Sequence, residues 1–261
     1  MMNRSFTGLT DTGVVRSVNQ DNFYIDPGGR FFIVADGMGG HAGGEEASLI
    51  ATREIQAYLE THWKSDIPSH ILLEKAFLQA NQGILTDQQD HPERGDMGTT
   101  ALVVIFRDNK PWRAHIGDSR LYRFRDLYLE QITEDHTLVA RALKMGEITR
   151  EQAKTHPWRH VLFQCLGRKD VNLIEIAHLD VRAGDRLLLC SDGLTEEVSD
   201  KTIQQIFEQQ KSCKIVAQNL VETAKEAGGS DNITVVIVVE GEKTERIEED
   251  NLDTRVDKIG N

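Results

Sequence analysis

The order of apolar segments in this chain predicts an α+β fold in which antiparallel sheets carry helix pairs on their outer faces. Three observations carry that prediction. Strand-like segments come in adjacent runs and so do helix-like ones, which disfavours an alternating βαβ wind. Each helical segment has a single apolar stripe, so it packs on one layer and is not surrounded. The last strong strand also follows two consecutive helices, while the two early helices fall between strands.

The elements follow in order. Asp21, in SVNQDNF, lies where a first strand pair is expected to turn. Residues 31–34 form a short apolar run of strand type. Two helices follow. The first, over about 44–63, puts Ala47, Ile50, Ala51, Ile55, Tyr58 and Leu59 on one face. The second, over about 69–87, does the same with Leu72, Leu73, Ala76, Phe77, Ala80 and Ile84. A strand is expected over 101–106, and 112–132 reads as short strands joined by tight turns, an antiparallel meander. The polar stretch 145–160 interrupts this pattern with Pro157 and Trp158 among many charges. It is expected to be a surface excursion of the kind that forms lids or recognition elements. A strand at 187–190, helices at about 199–209 and 213–227, and a strand at 233–239 complete the ordered chain. Residues 241–261 are charged, mixed in sign and poor in apolar groups, and read as a solvated, flexible tail behind a domain of residues 1–240.

Composition narrows the function. A chain of 261 residues with 39% hydrophobic content can bury a sizeable core. No apolar run approaches the ~18 residues of a membrane helix, so no membrane is expected. The N-terminal residues lack the apolar centre of a secretory signal. Cys165, Cys190 and Cys213 form no CxxC pair, which suits a reducing cytoplasm. A net charge of −12 argues against nucleic acid as a partner. An anionic substrate remains compatible provided a bound cation reverses the sign locally.

The chemistry sits in aspartates at apolar strand ends: Asp36 after FFIVA, Asp118 after AHIG and Asp192 after LLLCS, with Asp231 just before ITVVIVV. Taken singly, each D-G or D-N pair is a turn former. Together, neighbouring antiparallel strands can gather such residues on one sheet edge, where unpaired carboxylates repel unless a metal neutralises them. The donors are all oxygen, which selects Mg²⁺, Mn²⁺ or Ca²⁺ over Zn²⁺ or Cu²⁺. No EF-hand loop is present, and several shared carboxylates favour a two-metal hydrolytic site. The glycine-rich segment 37–44 follows Asp36 directly, and lets backbone groups approach an ion or phosphate closely.

Six motifs occur in succession: Arg16-Ser17-Val18-Asn19-Gln20-Asp21, Ala35-Asp36-Gly37-Met38-Gly39-Gly40, Gly98-Thr99-Thr100, Gly117-Asp118-Ser119-Arg120, Ser191-Asp192-Gly193-Leu194 and Asp231-Asn232-Ile233-Thr234. In this order and over residues 8–239 the chain resembles the metal-dependent type 2C (PPM) protein serine/threonine phosphatases. The likeness extends to the cyanobacterial branch acting on a phosphorylated PII-type signalling protein. The resemblance implies a β-sandwich of two antiparallel sheets flanked by helix pairs. It implies hydrolysis of phosphoserine and phosphothreonine by in-line attack of a metal-bridging hydroxide, with phosphorylated proteins as partners and a monomeric enzyme in bacterial signalling. Asp36 would bridge two Mg²⁺ or Mn²⁺ ions, one also held by Asp192 and Asp231, the other by the Gly37 carbonyl and Asp21. Arg16 corresponds to the phosphate clamp. Asp118 would hold a third ion with Asp192, and Glu196 falls where some members place a further ligand of that ion. The excursion 145–160 corresponds to a flap, with Trp158 as a substrate contact. Gln20 and Met38 stand where many members carry Glu and a proton-donating His, and His41 is the nearest histidine to serve catalysis and substrate binding. Two other classes remain open: an inactive phosphoprotein-binding module, which loss of core aspartates would mark, and a calcium-stabilised structural domain, which would need no phosphate clamp.

Overall fold

The computed structural model describes residues 2–40, 43–94, 96–108 and 110–243. His41 and most of the expected tail lie outside them. Two antiparallel sheets pack face to face. The first runs in the order β1 (Met2–Asp11), β11 (Ile233–Lys243), β10 (Arg186–Cys190), β7 (Arg120–Arg125), β8 (Tyr128–Gln131). The second is ordered β2 (Asp21–Ile25), β3 (Phe31–Met38), β5 (Ala101–Arg107), β6 (Lys110–Ile116), β9 (Glu175–His178), with the short β4 (Gly98–Thr99) pairing the end of β3.

Strand periodicity builds the layers. In β3, Phe32 and Val34 face the other sheet and pack with Leu102, Leu121, Leu187, Leu189, Val236 and Val238. Phe31 and Ile33 point the opposite way, under the helix pair α1 (Gly43–His62) and α2 (Ser69–Asp90). On the far side, Tyr122, Leu188, Val235 and Ile237 are covered by α6 (Asp200–Gln209) and α7 (Cys213–Ala227). Because helices cap both outer faces, the central strands are buried on both sides and read as continuous apolar runs. The expected sandwich with outer helix pairs is present.

Several local expectations change. The stretch 112–132 is not one meander: β6 belongs to one sheet and β7 and β8 to the other. The chain crosses between sheets at Gly117-Asp118-Ser119, where Gly117 has φ +104° and a Cβ would lie 2.6 Å from Thr100 Cγ2. Likewise β1 and β2 are not a strand pair; each joins a different sheet. A period-two pattern reports which residues alternate and carries no sign of which sheet a strand enters. The excursion at 145–160 contains α4 (Arg150–Thr155), which Thr149 and Gln152 start with a capping box, and follows α3 (Leu138–Lys144), capped by Thr137. Finally, β11 runs on to Lys243, where its backbone pairs with Met2.

Candidate metal centre

One end of the sandwich gathers the aspartates. Asp21 opens β2 and stands directly opposite Asp36, which lies inside β3 and not at its end. From the other sheet, Asp192 begins α5 (Asp192–Thr195) two residues after β10, and Asp231 precedes β11 by two. Asp118 sits in the crossing between sheets, so a residue read as a strand end is a residue of the corner that joins the two layers.

Hydroxyls and an amide fix this arrangement. The Asp36 N–H donates to Thr100 Oγ1 at 2.9 Å, and the Thr99 hydroxyl donates to the Asp36 carbonyl at 2.8 Å. Thr100 and Ser119 share a 2.7 Å hydrogen bond, which ties Asp36 to the Asp118 corner. The Ser191 hydroxyl donates to Asp21 Oδ2 at 2.7 Å and accepts from the Thr234 N–H at 3.0 Å, linking the two sheets. The Asn232 side chain accepts from the Gln20 N–H and donates to the Thr12 and Val18 carbonyls, which fixes the loop before β2. Only glycine fits at 37, since a Cβ would lie 1.9 Å from the Gly44 carbonyl oxygen.

The electrostatics ask for a cation. Burial, then the charges of Asp21, Asp192, Asp118 and Asp231, push the Asp36 carboxyl well above the usual range. Burial and Asp192 do the same to Asp118, and burial and Asp231 raise Asp192. Asp21 is pushed up to about 7, chiefly by burial and against the pull of the Ser191 and Thr234 hydroxyls. Its Oδ1 is buried without a hydrogen-bond partner. Like charges directly across a strand pair, as at Asp21 and Asp36, destabilise a sheet. Buried carboxylates with an orphaned oxygen and oxygen-only donors fit hard divalent ions.

The remaining expected residues fall around this cluster. Arg16 is half exposed, and its Nη2 donates to Asp231 Oδ2 at 2.8 Å. A cavity of about 700 Å³ adjoins the cluster, with Asp118, Asp192, Glu196, Arg159 and His160 in its wall. Donor atoms of His160, Asp192 and Glu196 lie within 4.8 Å of one another, and Glu196 is raised to about 7 by burial and then by Asp192 and Asp231. Trp158 is 59% exposed, packs its ring edge-on against His156, and does not line that cavity. The structure thus brings Arg159 and His160 to the site, which the sequence reading did not single out. Their polar segment has no periodicity, so only the fold shows which of its residues turn inward. Ser191, Thr100 and Asn232 were within the motifs, but nothing in their spacing marked them as supports.

Two antiparallel sheets between helix pairs, with aspartates from both sheets converging at one end, make a site whose donors suit hard divalent ions. The protein phosphatase 2C family profile matches residues 14–227, and the chain belongs to that family. It is 39% identical over 235 residues to the serine/threonine protein phosphatase PstP of Mycobacterium tuberculosis, a match over 89% of this chain and 44% of that protein. The chain therefore spans less than half the length of that relative. It is 39% identical over 234 residues to the protein phosphatase PhpP of Streptococcus pneumoniae, covering 88% of this chain and 95% of that one. The crystal structure of the PstP catalytic domain in complex with two manganese ions superposes with a TM-score of 0.80 at 36% identity, over 93% of this chain and all of that one.

Proposed function

We propose that this chain hydrolyses phosphoserine and phosphothreonine in proteins, with Mg²⁺ or Mn²⁺ held by Asp21, Asp36, Asp192, Asp231 and the Gly37 carbonyl. The observation that carries the reading is the burial of carboxylates from both sheets against one another, with Asp21 Oδ1 unsatisfied. The family and the manganese complex of the PstP catalytic domain support the same donor chemistry. When bound, such ions offset the carboxylate charge and make water a nucleophile at neutral pH.

The chain's own residues bind and orient. Arg16, tethered at the rim by Asp231, presents a planar fork suited to phosphoryl oxygens. Thr99, Thr100 and Ser191 hold the carboxylates in place before substrate arrives. Asp118 and Asp192, with Glu196 in the same cavity wall, are the proposed holders of a third ion. His41 is the proposed proton donor to the leaving alkoxide, residues 1–240 the catalytic domain with 145–160 as its flap, and Trp158 an outer contact for the phosphoprotein. The chain would act as a cytoplasmic monomer on bacterial signalling phosphoproteins, with a PII-type protein as one candidate. Among the described residues no helix is long and apolar enough to cross a membrane.

The test is phosphate release from phosphoserine and phosphothreonine peptides and a phosphorylated PII-type protein, each with Mg²⁺, Mn²⁺, Ca²⁺ or EDTA. Release with Mg²⁺ or Mn²⁺ that EDTA stops is the expected result. Undiminished release in EDTA contradicts it.

A further inference from the structure

We propose that His115, His136 and Glu175 form a second metal site, of the zinc type, separate from the aspartate cluster. One donor atom from each residue lies within 4.8 Å of the others. His115 on β6 and Glu175 on β9 are register partners, so the sheet itself sets two of the three donors side by side. His136 enters from the turn before α3, where its N–H donates to the Gly117 carbonyl at 2.9 Å.

The hydrogen bonding fits ligation. His115 is fully buried, and its Nε2 bonds to the Gly117 carbonyl at 2.8 Å, so that nitrogen carries the proton. In the neutral ring Nδ1 then presents a lone pair. That atom is buried, has no hydrogen-bond partner, and lies 3.9 Å from Glu175 Oε2. A ring N–H given to a backbone carbonyl, with the other nitrogen left open, is how metal-bound histidines are usually held. Arg113 occupies Glu175 Oε1 at 2.5 Å and leaves Oε2 turned to His115. Two nitrogens and one oxygen suit Zn²⁺, Co²⁺ or Ni²⁺ and not Mg²⁺. Three protein donors leave a tetrahedral ion one position, and His136 and Glu175 both line a cavity of about 740 Å³.

Binding would have a structural consequence. His136 Nδ1 accepts from the Gly117 N–H at 3.2 Å. If Nδ1 takes the ion, that lone pair is used; if Nε2 takes it, the ring proton must sit on Nδ1. Either way the Gly117 N–H loses its acceptor, one residue before Asp118.

Cobalt reads the site, because four-coordinate cobalt bound through nitrogen absorbs visible light far more strongly than cobalt held by carboxylates and water. The full chain, saturated with Mg²⁺, is titrated with Co²⁺. We expect an intense visible band that saturates at one equivalent, weakens at least ~10-fold in affinity in His136→Gln and Glu175→Gln, and persists in Asp36→Asn. Should His136→Gln fail to fold, Glu175→Gln at its half-buried strand position decides. No such band in the wild type, a band that survives both substitutions, or one lost with Asp36→Asn overturns the proposal. Amide exchange at Gly117 should quicken on adding Zn²⁺; unchanged exchange with the ion bound removes His136 from the ligand set.

Discussion

At the scale of single residues, the aspartates store repulsion that a cation relieves. Asp21 has a folded pKa of about 7 against an ordinary 3.8. A carboxyl raised on folding contributes stability that is fully present below the unfolded value and lost as pH rises through the folded one. The metal-free protein should therefore melt at progressively lower temperature between about pH 4 and pH 7, and Mn²⁺ should raise Tm more at pH 7.5 than at pH 5. Scanning calorimetry in EDTA and in Mn²⁺ checks both. Glu175 is shifted the other way, to about 2, so its contribution is present above the ordinary value of 4.5 and lost as pH falls from there toward 2. Asp36→Asn removes one buried ionisable carboxyl from the cluster. It should raise the metal-free Tm by a few degrees, about 2–4 °C per kcal/mol for a chain of this size. It should also lower kcat at least about 100-fold, equivalent to ~2.7 kcal/mol. The aspartates could be marked only as a set, through six motifs in succession, because each one alone reads as a turn former. Arg159 and His160 could not be marked, since an irregular polar segment gives no sign of which side chain returns to the site.

At the scale of elements, the crossing at Gly117 is the decisive feature. It takes the chain from β6 in one sheet to β7 in the other and so carries Asp118 to the edge where Asp36 and Asp192 meet. Only a residue without Cβ tolerates φ +104° there with Thr100 Cγ2 so near. Gly117→Ala should cost about 1–3 kcal/mol and depress turnover through Thr100 and Ser119, whose shared bond spans the corner. Denaturant unfolding and steady-state kinetics measure the two effects. Asp118→Ala should instead spare folding while reducing kcat; near-normal rates would make Asp118 a turn residue only. Helix positions were read closely, because a 3.6-residue apolar stripe is self-contained: the expected 213–227 is the helix Cys213–Ala227. Sheet membership was not legible. The 112–132 segment alternates in the same way whether its strands share a sheet or divide between two.

At the scale of the molecule, the function depends on the sandwich being a sandwich. The proposed donors come from both sheets, so the proposed metal centre needs the two edges to stay in register. The core between the sheets holds that register. Phe32 is fully buried there, edge-on to Phe6 and Phe106. Phe32→Ala should cost about 3–5 kcal/mol and weaken Mn²⁺ affinity although it touches no donor. Chemical denaturation with parallel metal titration checks this. The most direct test of the whole account is calorimetric titration of the metal-free wild type and Asp36→Asn with Mn²⁺ at pH 7.5. The account predicts at least two ions in the wild type and loss of the tight binding in the variant, with the fold intact by circular dichroism. Equal Mn²⁺ stoichiometry and affinity in the two proteins would contradict it.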